Sequence, residues 1–304
     1  MRQIAGDDVD GIRTEISCAD GVKLGGHWWK AQGRHLLGTV IINPATGVLA
    51  RYYHRYAAFL ATHGFDVLTY DYRGIGLSRP KSLRGRRYSW RDWGERDFDA
   101  ALLHALVWEP ASPILVVGHS IGGFLPGYAE NAVKIHRMLT VGAQRAYWPD
   151  YLGKRRLGMV MKWHVLMPGI TAAFGYFPGR LLGWLEDLPA DIVWSWSFAG
   201  RAFEARLPEG ERRKILRHFA EVGAQILAIG VSDDHFGTKA ALSRALEDYV
   251  TAEPTKVMLE PRDLGFDTVG HFDLFHSRHA SSFWLDTLLW LQDGINPWPH
   301  RRFD

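Results

Sequence analysis

The stretch Ile114-Leu115-Val116-Val117-Gly118-His119-Ser120-Ile121-Gly122-Gly123 constrains this chain more than any other. A short apolar run rich in Val and Ile predicts a buried strand. It stops at Gly-x-Ser-x-Gly, and a helical pattern follows. Strand, sharp turn and helix in that order present a serine hydroxyl at the top of a sheet. The strained turn tolerates only small residues two before and two after the serine, which Gly118 and Gly122 supply. An isolated Gly-x-Ser-x-Gly is often only a turn, but here the flanking strand and helix favour a nucleophile at Ser120.

The rest of the chain repeats the same theme. Thr14–Cys18 and Val22–Trp29 predict two strands joined by a hairpin at Asp20-Gly21. Strands are further expected at Thr39–Ile42, Phe65–Tyr70, Met138–Val141, Ile226–Ile229 and Lys256–Leu259, giving eight with the elbow strand. Between them, apolar spacing predicts helices over Arg51–His63, from Asp92 as cap to Trp108, from the elbow to about Val133, over Lys239–Tyr249 and over Ser281–Leu291. Strands alternating with helices imply crossover units, a mostly parallel sheet and an α/β fold. From Gln144 to His218 the alternation fails. That segment carries Trp148, Trp163, Trp184, Trp194 and Trp196, broken by Pro149, Pro168, Pro178 and Pro189. The expected organisation is a core of residues 1–143 and 219–304 with a helical cap, 144–218, inserted over the carboxyl edge of the sheet.

Composition removes several alternatives. The chain has 304 residues with a formal net charge of +3, too small to argue for nucleic acid or an anionic membrane. The basic loop from Arg79 to Arg91 is followed at once by Asp92, Glu95 and Asp97 and is expected to be solvated. A single cysteine, Cys18, allows no intrachain disulfide. No apolar run reaches the roughly 18 residues a spanning helix needs, and the polar start has no apolar signal core, so a cytoplasmic location is expected. His271, His276 and His279 lie close in sequence, but no second ligand group has matching spacing, so no metal and no cofactor are expected.

A serine hydroxyl is a poor nucleophile until a base takes its proton, and the base needs an acid to fix its tautomer. On a sheet of this kind the chain order is serine, acid, histidine. Asp233 and Asp234 follow the strand at Ile226–Ile229, and His271 follows the last expected strand. Two backbone N–H groups must hold the developing oxyanion. One is expected from Ile121. The other is expected from the loop Asn43-Pro44-Ala45-Thr46-Gly47, where Pro44 has no N–H, so Ala45 is the first choice and Thr46 the reserve. His119, inside the elbow, reads mainly as structural. Together with Thr46, Trp163, Phe174, Tyr176 and Trp184 it completes the set expected near a substrate, most of it aromatic and suited to an apolar acyl pocket.

Taken together, Asn43-Pro44-Ala45-Thr46-Gly47, Asp71-Tyr72-Arg73-Gly74-Ile75-Gly76, the elbow, Asp233-Asp234 and Gly270-His271-Phe272 resemble the α/β-hydrolases, and among them predicted bacterial serine hydrolases of the serine aminopeptidase/lipase-like type. The resemblance implies an eight-stranded, mostly parallel sheet with a helical cap after the sixth strand, and ester substrates, with some amides and thioesters. It also implies an acid followed by a short turn, which favours Asp234, since His235-Phe236-Gly237-Thr238 fits that pattern. The chain departs from many members in carrying Asn43-Pro44 where they carry His-Gly. The expected activity is hydrolysis of a small-molecule ester with an apolar acyl group through an acyl-enzyme on Ser120. An acyltransferase on the same triad and a catalytically silent binding protein are the alternatives. Oligomeric state is not legible in the sequence.

Overall fold

The computed structural model describes residues 11–304 apart from Arg34. The N-terminal stretch up to Asp10, where a signal core was sought, lies outside the described residues. In chain order the first strands are β1 (Ile12–Ser17), β2 (Lys23–Trp29), β3 (Gly38–Asn43), β4 (Phe65–Tyr70), β5 (Ile114–His119) and β6 (Ile135–Val141). A two-stranded ribbon follows, of β7 (Tyr176–Phe177) and β8 (Leu188–Pro189). Then come β9 (Gln225–Val231), β10 (Thr255–Leu259) and β11 (Arg302–Phe303). Nine of them form one sheet in the order β1-β2-β4-β3-β5-β6-β9-β10-β11. From β4 to β10 every neighbour is parallel, while β1, β2 and β11 pair antiparallel at the edges. The eight strands expected from sequence are all present. The ninth, β11, was missed because two residues are too few to show a period.

Residues of β3, β4 and β5 are buried at every position, as central strands covered by helices on both faces should be. Alternation then sorts their side chains. Ile41, Leu68 and Val116 face one core with Trp93, Phe98 and Phe219, and Val40, Val67 and Val117 face the other with Tyr56, Leu60 and Trp284. The helix His54–Thr62 ends before Gly64, whose φ of 91° lets the chain turn into β4.

Two helices differ from their expected form. The one before β5 is capped by Ser89, not Asp92. Ser89 accepts from the Asp92 N–H while the Asp92 side chain accepts from the Ser89 N–H, a reciprocal capping box. The elbow helix covers only Ile121–Phe124, then tightens to 3₁₀ geometry at Leu125–Tyr128 and Glu130–Lys134. Pro126 has no N–H to extend the α-helical ladder, and Gly122 and Gly123 are weak helix formers.

The segment between β6 and β9 holds helices Arg156–Val160, Met167–Phe174 and Ala190–Ser197, joined by shorter turns. Its last helix, Glu209–Glu221, straddles residue 218, the expected boundary, and packs on the sheet layer. Phe219 lies 5.1 Å from the Phe124 ring and 5.0 Å from that of Tyr249. The basic loop after β4 is not simply solvated. Arg79 pairs with Asp187 at 2.8 Å, Arg87 with Asp191 at 2.8 Å, and Arg91 with Glu211, so it is tied to the segment between β6 and β9. Among the described residues no helix is long and apolar enough to cross a membrane.

Candidate active site

Ser120 leaves β5 at φ 57° and ψ −125°, a conformation that costs a non-glycine residue energy and lifts its side chain off the strand. Its N–H donates to the Val141 carbonyl at 2.8 Å, which ties the strained turn to β6. The flanking glycines are sterically required. A Cβ on Gly118 would lie 2.5 Å from the Gly122 carbonyl oxygen, and one on Gly122 would lie 2.3 Å from that of Asn43.

Asp234, at the end of β9, accepts from His271 Nδ1 through Oδ2 at 2.6 Å, and its Oδ1 accepts from the Phe236 N–H at 2.8 Å. A carboxylate bound in this way fixes the proton of the neutral ring on Nδ1 and leaves Nε2 as a base. Burial pushes the Asp234 carboxyl up. The His271 charge and hydrogen bond, with the Gly237 and Phe236 N–H groups, more than offset this and hold it below the usual carboxylate range. Asp233 has a different task. Its oxygens accept from the N–H groups of Val269 and Gly270 at 2.8 and 2.9 Å, so it pins the loop that carries His271. Gly142, at φ 58°, passes so close that a Cβ there would sit 3.0 Å from His271 Cε1 and 3.1 Å from Asp234 Oδ2.

Ser120 and His271 line one cavity of about 150 Å³, with Gln144, Ala45 and Thr46 among its polar edge and Trp163, Trp184, Leu185, Trp196, Phe236 and Phe272 as apolar walls. Gln144 was not expected at the site. Its Oε1 accepts from the Ala146 N–H, which orients the amide so that Nε2 donates to Ser120 Oγ at 3.1 Å. Phe236 and Phe272 hold the His271 ring between them, with centroids 5.0 and 4.9 Å away.

The oxyanion loop differs from expectation. The Ala45 N–H already donates to Tyr53 Oη at 3.0 Å. The Tyr53 hydroxyl in turn meets His119 Nδ1 at 2.7 Å, and His119 Nε2 meets the His271 carbonyl at 2.9 Å. A carbonyl can only accept, so Nε2 carries the ring proton, Nδ1 accepts from Tyr53, and the phenol oxygen accepts from Ala45. That commitment counts against Ala45 as the second donor. The Thr46 N–H has no protein partner among the described residues, and its side chain is held by Trp90 Nε1 at 3.1 Å. The Ile121 N–H, at the first position of its helix, also has none within the helix.

Three residues of the expected substrate-facing set lie elsewhere. His119 is fully buried behind Ser120 and takes no part in the cavity wall. Burial, then the charge of His271, pushes its pKa down to about 3, so the ring is neutral. Phe174 is exposed at a helix end and Tyr176 lies in the β7–β8 ribbon, neither of them lining the cavity. Helical spacing identified them as aromatic but could not show which way they point. Trp163 and Trp184 do line it, in edge-to-face contact at 5.7 Å. Among the described residues no group of three His, Cys, Asp or Glu side chains is placed to hold a metal ion. His279 is bound to Asp273 at 2.6 Å instead.

The profile of the alpha/beta hydrolase family matches residues 40–282. A search of curated proteins returns no match. Among solved structures the chain is similar to a soluble variant of monoglyceride lipase from Saccharomyces cerevisiae in complex with a substrate analog, with a TM-score of 0.67 and 14% identity over 95% of this chain and 97% of that one. It is similar to an esterase of Pyrococcus furiosus, with a TM-score of 0.56 and 17% identity over 96% and 97% of the two chains. It is also similar to a monoacylglycerol lipase of Paleococcus ferrophilus, with a TM-score of 0.55 and 14% identity over 90% and 99%. At these identities the likeness shows a shared fold.

Proposed function

Since this chain belongs to the alpha/beta hydrolase family, we propose that it is a serine hydrolase cleaving a carboxylic ester through an acyl-enzyme on Ser120. The observation that carries this reading is the buried Asp234–His271 pair at 2.6 Å, facing the same cavity as a serine held at positive φ. Gln144 Nε2 donates to Ser120 Oγ, so the serine's own proton is free to point to His271 Nε2. His271 takes that proton as Oγ attacks the carbonyl carbon, and Asp234 stabilises the imidazolium without itself being protonated. The Ile121 and Thr46 N–H groups hold the oxyanion. His271 then returns the proton to the leaving alcohol, and water repeats the sequence on the acyl-enzyme.

The segment from Gln144 to about Pro208 acts as a cap. Trp163, Trp184, Leu185 and Trp196 come from it and wall the cavity against water. Trp184, Leu185 and Phe272 also line a neighbouring open groove of about 700 Å³, large enough for part of a small or medium ester.

A small fluorophosphonate tests the assignment. It should attach to Ser120, as located by peptide mapping. His271→Ala should slow the labelling strongly, and Ser120→Ala should abolish it. A folded protein that stays unlabelled would return the chain to the silent binding reading.

A further inference from the structure

The Ser120 cavity shares Lys162, Trp163 and Phe236 with a second cleft of about 460 Å³. Neither space has an Asp or Glu among its lining residues, whereas the cleft also carries Arg155 and His235. Lys162 stands where the two meet. Its Nζ lies 4.4 Å from the ring centroid of Trp163 and 4.4 Å from that of Trp184. Among the described residues these rings are its partners, and no carboxylate pairs with it. Partial burial holds the ammonium below its ordinary range.

A lysine needed only for solubility would reach into water, and one needed only for stability would face an acid. This one is held over two indole faces, at the wall of the cavity that contains the nucleophile. Its charge meets these two rings and, among the described residues, no carboxylate. A carboxylate is the partner such a site lacks, because it can accept charge-assisted hydrogen bonds from Nζ while the rest of the molecule meets Trp163, Trp184 and Phe236.

We propose that the ester cleaved at Ser120 carries a carboxylate that docks on Lys162. This rests on the hydrolase reading and narrows it, from an apolar ester to an apolar ester with one anionic end. The carboxylate can belong to the acyl half or to the alcohol half, and matched substrates distinguish them. On the acyl side, 4-nitrophenyl hydrogen glutarate is compared with 4-nitrophenyl pentanoate. On the alcohol side, 4-carboxyphenyl pentanoate is compared with phenyl pentanoate.

In one of the two pairs the wild-type kcat/KM should favour the anionic ester, and Lys162→Met should lower that ratio by about tenfold or more, as loss of a hydrogen bond to a charged group predicts. Lys162→Arg should keep most of it. A ratio unchanged by Lys162→Met in both pairs overturns the proposal. A readout independent of turnover is tryptophan fluorescence of the Ser120→Ala protein, titrated with glutaric acid monoanilide and with the neutral pentananilide. The acid should quench at a lower concentration than the neutral anilide, and Lys162→Met should remove that difference. If esters are cleaved without an anionic preference, the carboxylate proposal fails and the hydrolase stands. If no ester is cleaved and no probe attaches, the hydrolase reading fails, and the titration still decides whether Lys162 binds the acid.

Discussion

Asp234→Asn and Asp233→Asn are nearly identical changes on adjacent residues, and the structure predicts opposite consequences. The Asp234 carboxylate serves His271 Nδ1 and the backbone N–H groups of Phe236 and Gly237. Asparagine has one carbonyl oxygen to offer. If that oxygen stays with the backbone N–H groups, which have no substitute, the new amide NH₂ faces the ring. His271 must then accept at Nδ1 and carry its proton on Nε2, where it can no longer take one from Ser120. Wrong-tautomer triads lose about 10⁴-fold in kcat, or about 5 kcal/mol of transition-state stabilisation. Asp233 serves the Val269 and Gly270 N–H groups. Its asparagine variant leaves one of them facing an NH₂, at a cost of about 1–3 kcal/mol in stability. His271 keeps its tautomer, so kcat should fall by less than about tenfold even if the loop shifts slightly. The assay is kcat on an aryl ester at neutral pH, with urea unfolding alongside. The reasoning is refuted if Asp233→Asn is as inactive as Asp234→Asn, or if Asp234→Asn retains more than about a tenth of the wild-type rate.

Three further outcomes are expected. His119 is fully buried with its pKa pushed down to about 3, below the value of about 6.5 for an unfolded histidine, so the unfolded chain binds the proton more readily. The stability this ring contributes is complete above about pH 6.5 and is lost as pH falls toward 3; between pH 8 and pH 5 the loss is about 2 kcal/mol, and His119→Gln should show a correspondingly shallower fall in urea unfolding. Gly142→Ala should lower kcat, because its Cβ would push on the His271–Asp234 pair, and should cost about 1–2 kcal/mol in stability for placing alanine at φ 58°; unchanged kinetics would mean that the pair does not depend on this contact. Among uncharged esters, each added acyl methylene should raise kcat/KM by about fourfold, or ~0.8 kcal/mol, until the space walled by Trp163, Trp184 and Leu185 is filled, and a flat chain-length profile would count against that wall as the acyl site.

Ser120, Asp234 and His271 were legible because each follows an apolar run ending in a loop, and the sheet gathers such ends along one edge. The preference for Asp234 over Asp233 rested on the form of the turn after the acid, and Thr238 in that turn caps the next helix. Gln144 was not legible. Its approach to Ser120 depends on left-handed backbone at both Gly142 and Ala146, and a positive φ at an alanine leaves no mark in a sequence. The hydrogen bond of the Ala45 N–H was not legible, because counting donors in a loop cannot reveal that Tyr53, from the following helical turn, has already taken one. The arginines from Arg79 to Arg91 suggested a solvated loop because the nearest acids in sequence follow at once, whereas several of their actual partners, Asp187, Asp191 and Glu211, lie about a hundred residues away. Such long-range pairings are set by topology.

The line of hydrogen bonds from Ala45 through Tyr53 and His119 to the His271 carbonyl allows one arrangement of its protons. Its far end is a backbone acceptor, and every proton upstream is fixed by that terminus. The loop before the first helix and the loop bearing His271 are therefore indexed to the same strand end, with His119 as the shared reference point one residue before Ser120. A shortened side chain at position 53 would release that index. The His271 carbonyl would still hold the proton on His119 Nε2, while His119 Nδ1 would lose its donor and the Ala45 N–H its acceptor. Such a protein would keep the His271 loop seated on His119 and set free only the loop that carries Ala45.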